Sequence, residues 1–355
     1  MKKTKNRIIA AVLVLLVSFG LSVPAYAQNS SGLVIVPREN YTINPGGSVS
    51  NELPVTNLNN SLSLDLSLKT VDFTYVDQTG TPKLLLNQNT HQTSWSLKPY
   101  LSFPATVKVA PGQTAEVKVS INLPANIKPG SYYSGIEYLA NNSGGSSLNL
   151  SASGTTLLFV NVPGNVSENM DLVHVGAYQT DSSISGGKYI SFAVNPPEEI
   201  GYTLQNTGDV VETTAGSIAL QSMYGGHHNI EITNANPDPS IALIGQTRLF
   251  TACVKSVDEQ ISLNDTKTPA KVCQQHPSLF PGKYNITLEV FYGQNGKESH
   301  EIYGIGHFWY LPWWFIAVAV AALALIVFIV VRVYIKLNHA VGSEDDEQEP
   351  REEQS

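Results

Sequence analysis

Two apolar segments near the ends constrain this chain more than anything between them. Lys2, Lys3, Lys5 and Arg7 precede an apolar run from Ile8 to Leu21, and Ala25-Tyr26-Ala27 follows with small residues at its outer positions. A basic start, an apolar middle and an A-x-A site form the pattern of a cleaved secretory signal over residues 1–27. Near the other end, Trp313 to Val331 contains no charged residue, a run long enough to cross a bilayer as a helix. Trp309, Tyr310, Trp313 and Trp314 crowd its N-terminal edge, where amphipathic rings favour the headgroup layer. Arg332 and Lys336 follow its C-terminal edge, as on a cytoplasmic flank. The pattern predicts a single-pass type I protein in the cell membrane: an outside region, one anchor, and a short inside tail.

The formal net charge is −8. The signal carries +4, the flank +2 and the tail Ser343–Ser355 −6, which leaves −8 on the outside region. An acidic exterior argues against nucleic acid as a partner and is compatible with sugars, neutral polymers, proteins or cations. The tail, with Glu344-Asp345-Asp346-Glu347 and no apolar residue before Pro350, reads as a solvated, disordered segment.

Cys253 and Cys273 are the two cysteines of the chain. In an oxidising exterior such thiols pair or stay separately buried. A bridge there would close a loop worth about 3 kcal/mol by loop entropy. A zinc site would need more ligands than the nearby His276.

Between the apolar ends the sequence reads as strands. Ala115 to Leu123 alternates apolar and polar residues without a break, as a strand with one buried face must. Leu62, Leu64, Leu66 and Leu68 do the same. The apolar phase then slips to Val71, Phe73 and Tyr75, which predicts a bulge or bend near Thr70, and Asp77-Gln-Thr-Gly80 reads as a turn. Pro129-Gly-Ser-Tyr132 leading to Ile136-Glu-Tyr138 parallels Pro281-Gly-Lys-Tyr284 leading to Leu288-Glu-Val290. This weak internal repeat, with turns at short regular intervals, predicts an all-β fold of two tandem immunoglobulin-like β-sandwiches and one C-terminal transmembrane helix. The expected boundaries are 28–163 for the first sandwich and 164–307 for the second. The helix then takes 308–332 and the tail 333–355. Asn142-Ser-Gly-Gly-Ser-Ser147 reads as a hairpin loop.

The usual catalytic signatures are missing: no G-x-S-x-G elbow, no H-E-x-x-H helix, no P-loop and no glycine-rich dinucleotide turn. His227-His228 is the best metal candidate, but adjacent strand residues point to opposite faces, so both read as loop residues. Asp72, Asp77 and Asn264-Asp265 read as solvated turn groups rather than calcium ligands. The expectation is a non-enzyme with no catalytic residues, no metal and no cofactor.

Exposed aromatic rings can stack on sugars. Tyr132, Tyr133 and Tyr138, with Trp95 and Tyr100 nearby, are the candidate ligand-binding residues, against the alternative of core packing. Tyr132 and Tyr138 share a strand face and Tyr133 takes the other, so at least one ring is expected near solvent.

Asn44-Pro-Gly46, Leu53-x-Val55-x-Asn57, Ala110-Pro-Gly-Gln113 and Pro129-Gly-Ser-Tyr-Tyr-Ser-Gly-Ile136 occur in an order that resembles the N-terminal domain of the WxL-interacting proteins of Gram-positive bacteria. The resemblance covers about Gly32 to Pro163. That family shares the outline of signal peptide, two immunoglobulin-like domains, one membrane helix and a short tail. It implies a first domain that binds peptidoglycan or another cell-wall polymer, and a second that engages surface proteins or host matrix proteins. The two cysteines and the acidic tail depart from that pattern.

The sequence thus predicts a non-catalytic, membrane-anchored bacterial cell-surface protein that holds the cell wall with its first sandwich and presents its second to partners. Two rivals stand beside it: a protein-binding adhesin or surface-assembly subunit without glycan binding, and an accessory subunit that signals through its tail.

Overall fold

A computed structural model describes residues 32–86, 93–140, 153–180, 187–232, 240–263, 266–293 and 300–342. The signal segment 1–27, the loop 142–147, the pair Asn264-Asp265 and the tail 343–355 lie outside the described residues.

Alternating apolar positions cannot bury one face without a second layer, and the chain answers with pairs of sheets. In the first half, β1 (Leu33–Ile35), β3 (Ser48–Asn57), β8 (Thr114–Asn122) and β6 (Leu101–Ser102) form one sheet in the order β1-β3-β8-β6. The facing sheet contains β2 (Arg38–Thr42), β10 (Ser153–Val162), β9 (Gly130–Ala140) and β4 (Leu64–Tyr75), in the order β2-β10-β9-β4. Both β5 (Pro82–Leu85) and β7 (Thr106–Val109) pair with β4. Leu53, Leu66, Ile121, Ile136, Tyr138 and Leu158 fill the space between these sheets. Fully burying a side chain of that size contributes about 1.5–3 kcal/mol.

In the second half, β11 (Met170–Thr180), β12 (Gly187–Ile190), β14 (Glu199–Asn206) and β17 (Thr247–Cys253) form a sheet in the order β12-β11-β14-β17. Facing it are β13 (Phe192–Ala193), β15 (Ala215–Ser222), β16 (His227–Ile232), β20 (Gly282–Tyr292) and β21 (His300–Tyr310), in the order β13-β21-β20-β15-β16. A separate hairpin, β18 (Ser256–Leu263) and β19 (Thr266–Cys273), hangs from the end of β17. Ile200, Tyr202, Ile218, Leu288 and Phe308 are the centre of this second core. Leu311-Pro312 then leads into helix α1 (Trp313–Gly342). Of this helix, Trp313–Leu337 is long and apolar enough to cross a membrane, with a mean hydropathy of 3.1 and nothing of its most apolar stretch buried.

The repeat seen in the sequence has matching hydrogen bonds. Tyr132 Oη donates to the Lys128 carbonyl at 3.0 Å and Tyr284 Oη to the Phe280 carbonyl at 2.9 Å, each acceptor four residues upstream of its tyrosine, across the strand-opening turn. Gly130 and Gly282, which begin those strands, take φ of 141° and 151°. Asn57 and Asn206 repeat each other as well: each is wholly buried and donates through Nδ2 to loop carbonyls. Each also accepts, through Oδ1, the N–H two residues on.

Thr70 marks no bulge. The β4–β9 register runs unbroken from Leu66 to Val71. The apolar phase slips because both faces of β4 become buried: Leu64, Leu66 and Leu68 face the first core, whereas Phe73 joins Tyr133 and Phe159 under Val211, Ile241 and Leu243 of the second half. Asp72, on the core face, accepts from the hydroxyls of Ser96 at 2.6 Å and Ser134 at 2.9 Å, so it is a buried strand residue and not a turn group. Asp77 does lie in a turn. The Thr79 hydroxyl bonds its carboxylate at 2.6 Å and holds its pKa below the usual carboxylate range.

Candidate functional site

The three tyrosines singled out from sequence are all buried. Tyr132 and Tyr138 point into the first core, and Tyr133 faces the other way, as strand alternation requires. The expectation that one of these rings reaches solvent is corrected, because Val211, Ile241 and Leu243 cover the outer face of β9 around Tyr133. Tyr133 packs 5.4 Å from the Phe73 ring centre and 5.9 Å from that of Phe159. Burial pushes its pKa up to about 12. Trp95 and Tyr100 pack edge-on against Tyr132. None of the three rings offers a sugar a face in this arrangement. Of the rings at the helix edge, Tyr310 is also buried in the second core, while Trp309, Trp313 and Trp314 are exposed.

Cys253 and Cys273 are joined by a disulfide that ties the end of β17 to the end of β19. His227 and His228 open strand β16 and are not loop residues; the His228 ring is bonded through Nε2 to the Val254 carbonyl at 2.6 Å.

The feature with the clearest capacity for recognition is an edge the sequence reading did not single out. In the first half, β2 lies parallel to β10 and covers it from Leu157 to Asn161. In the second half the equivalent strand, β13, pairs with β21 only at Trp309 and Tyr310. On that side, among the described residues, β21 has no strand partner from His300 to Phe308. The N–H of Trp309 donates to the Ser191 carbonyl, outward from β20. By strand alternation the N–H and C=O groups of Tyr303, Ile305 and His307 point the same way, into the open edge.

The side chains of the same residues face outward: Tyr303 is 61% exposed and Ile305 71% exposed. The inward positions Gly304 and Gly306 carry no side chain, which lets β11 approach closely. A β-carbon on Gly306 would stand 2.6 Å from the Val175 carbonyl oxygen. β11 is irregular opposite this edge, with a register shift between Leu172 and His174 that turns Val173 out to solvent. A cavity of about 560 Å³ opens along the seam, lined by Val173, His174, Tyr189, Ile190, Ile305 and His307.

Several other edges are blunted. β5 starts with Pro82, β16 presents His227, His228, Asn229 and Glu231, and β1 and β6 are only 3 and 2 residues long. β21 is 11 residues long and apolar on its outer face at Tyr303 and Ile305. Such an edge is a template for an added strand: backbone groups supply affinity, and the seam takes alternate side chains.

No family model and no curated protein sequence matches this chain. Three solved structures to which it is similar are fimbrial or other bacterial chaperones. The class 5 fimbriae chaperone CfaA is 10% identical, with 77% of this chain and 98% of that one covered and a TM-score of 0.32. The CupB2 chaperone of Pseudomonas aeruginosa is 10% identical, with 75% and 96% covered and a TM-score of 0.29. For the E. coli chaperone DraB the values are 10%, 73%, 93% and 0.30. Similarity at this level carries no functional argument, and the reading below rests on this chain's own geometry.

Proposed function

We propose that this is a non-catalytic protein, anchored by α1 in the cell membrane with its sandwiches outside, that binds a partner protein by adding one of the partner's extended segments to the open edge of β21. The single observation that carries the reading is that Glu301–His307, paired with β20 on one side, has no strand partner among the described residues on the other, with Tyr303 and Ile305 exposed on it. The two pairs of sheets are read as tandem immunoglobulin-like domains. A rigid pair would hold the edge at a fixed height above the bilayer. The anchoring reading is supported by the unburied apolar helix that follows β21 after Leu311-Pro312.

Ile305→Pro tests the reading. Its N–H points away from β20, so proline removes an edge donor without breaking the sheet. Short peptides selected from a random display library against the full chain should bind the natural protein and lose Ile305→Pro by at least about tenfold, roughly 1.4 kcal/mol. Equal binding to both would reject the edge. Attachment of the first sandwich to peptidoglycan, which the family resemblance implies, is a separate expectation that no longer rests on the tyrosines. Co-sedimentation with purified wall is its test.

A further inference from the structure

The end of the second sandwich nearest α1 gathers exposed apolar side chains. Phe192, Met223, Tyr224, Phe280, Trp309 and Trp313 are all between 40% and 72% exposed. Topology brings them together. Phe192 pairs with Trp309, Ser222 with Tyr284 at the start of β20, and Trp309 lies four residues before the helix. The rings of Tyr224 and Phe280 meet edge-on at 5.3 Å. Apolar surface gathered at one end marks a contact.

Between these rings the sandwich is open. A cavity of about 1050 Å³ opens here, lined by Leu220, Tyr284, Leu279, Phe280 and Tyr224, with Phe315 of the helix also on its wall. Phe315 belongs to the first turn of α1. Lys255 and His227 stand on the lining, and among the described residues no acidic side chain does. The cavity is as large as those that hold whole small ligands.

We propose that this cavity binds a phospholipid of the outer leaflet, its acyl chain between Leu220, Leu279 and Phe280 and its phosphate toward Lys255. This rests on the reading of α1 as a membrane span. Given that span, Trp309, Trp313 and Trp314 lie at headgroup level, and a cavity walled by Phe315 opens at the depth where acyl chains begin. A lipid fits better than a protein partner because the apolar walls are continuous with the helix and the polar groups of the lining are basic or neutral. Exposed rings around the mouth would seat the sandwich on the bilayer and fix the direction in which β21 faces.

The test uses the full chain reconstituted in vesicles of phosphatidylcholine and phosphatidylglycerol, the latter carrying a photoactivatable diazirine in one acyl chain. Two variants accompany it. Gly226→Trp fills the cavity: a β-carbon there meets only the Ser222 β-carbon, at 3.7 Å, in ordinary contact. Phe280→Glu changes a side chain that is 63% exposed and therefore leaves the fold intact.

The expected result is label on α1 and a second site of label on the peptides containing Tyr224 and Leu279-Phe280, with the second reduced about tenfold in each variant, roughly 1.4 kcal/mol of binding. Label on α1 alone, or a second site that neither variant reduces, overturns the lipid site and leaves the membrane span standing. Absence of label on α1 overturns both.

Discussion

The guanidinium of Arg248, on β17 of the second sandwich, lies over the ring of Tyr75 on β4 of the first, its central carbon 5.1 Å from the ring centre. Next to it the Leu249 N–H donates to the Gln78 carbonyl at 2.7 Å, and the Gln246 side chain bonds both Thr74 Oγ1 and the Tyr75 N–H. Gly80, at φ +84°, lies so close beneath that a β-carbon on it would overlap the guanidinium. Arg248 is buried, with Nε and Nη1 lacking hydrogen-bond partners among the described residues, and burial lowers its pKa. The contact therefore acts through packing and the ring face more than through an ion pair. Arg248→Ala should cost about 2 kcal/mol and speed exchange of the Leu249 amide. Arg248→Met, which keeps the volume, should stay within about 1 kcal/mol of the natural protein. Chemical denaturation with amide exchange reads both.

Neighbouring positions on β21 should respond in opposite ways. Ile305→Lys alters only an exposed side chain and should leave stability within about 0.5 kcal/mol. Gly306→Val drives a side chain into the Val175 backbone and should cost about 1–3 kcal/mol. Thermal melts of the two variants compare them directly.

Reduction of the bridge between Cys253 and Cys273, which are 20 residues apart, should lower stability by about 3 kcal/mol on the loop-entropy estimate. The hairpin β18–β19 should become more open to proteolysis, and limited digestion with and without reductant measures it.

Glu212 is 1% exposed, its Oε1 lacks a partner among the described residues, and burial, with the Glu168 charge adding to it, pushes its pKa up to about 8. The folded state thus holds a proton that the unfolded chain releases near 4.5. Between those values the folded state binds more protons than the unfolded one, so this group makes stability fall as pH rises from about 4.5 to about 8, then level off. Glu212→Gln should flatten that slope and stabilise the protein at pH 7 and above. Denaturation midpoints across this window, for both proteins, show whether the slope belongs to Glu212.

Much of the fold was legible because strands with one buried face advertise themselves by alternation, as Ala115–Leu123 does, and because Tyr132 and Tyr284 repeat one turn chemistry. Two further equivalences between the halves show only in the structure. Asn57 matches Asn206, and Ala110-x-Gly112-Gln113 matches Leu243-x-Gly245-Gln246, where both glycines take positive φ and both glutamine N–H groups close the turn at 3.1 Å. What alternation could not show is which outer faces the other sandwich covers. That hid the burial of Tyr133 and made the phase slip at Thr70 look like a bulge. β21 escaped for a different reason: with glycine at the inward positions 304 and 306, its large apolar side chains lie outside, and the pattern runs opposite to that of a core strand. Its open edge depends on β13 being 2 residues long, with Asn195-Pro196-Pro197 following where proline cannot donate to a ladder.

Amide exchange along β21, residue by residue, in the free protein and with a bound peptide, tests the central claim most directly. The account predicts slow exchange at Ile302, Gly304 and Gly306, which face β20, and fast exchange at Tyr303, Ile305 and His307. It predicts that the latter three become protected when the peptide binds. Protection of all six amides in the free protein, or fast exchange at Tyr303, Ile305 and His307 in the complex, would contradict it.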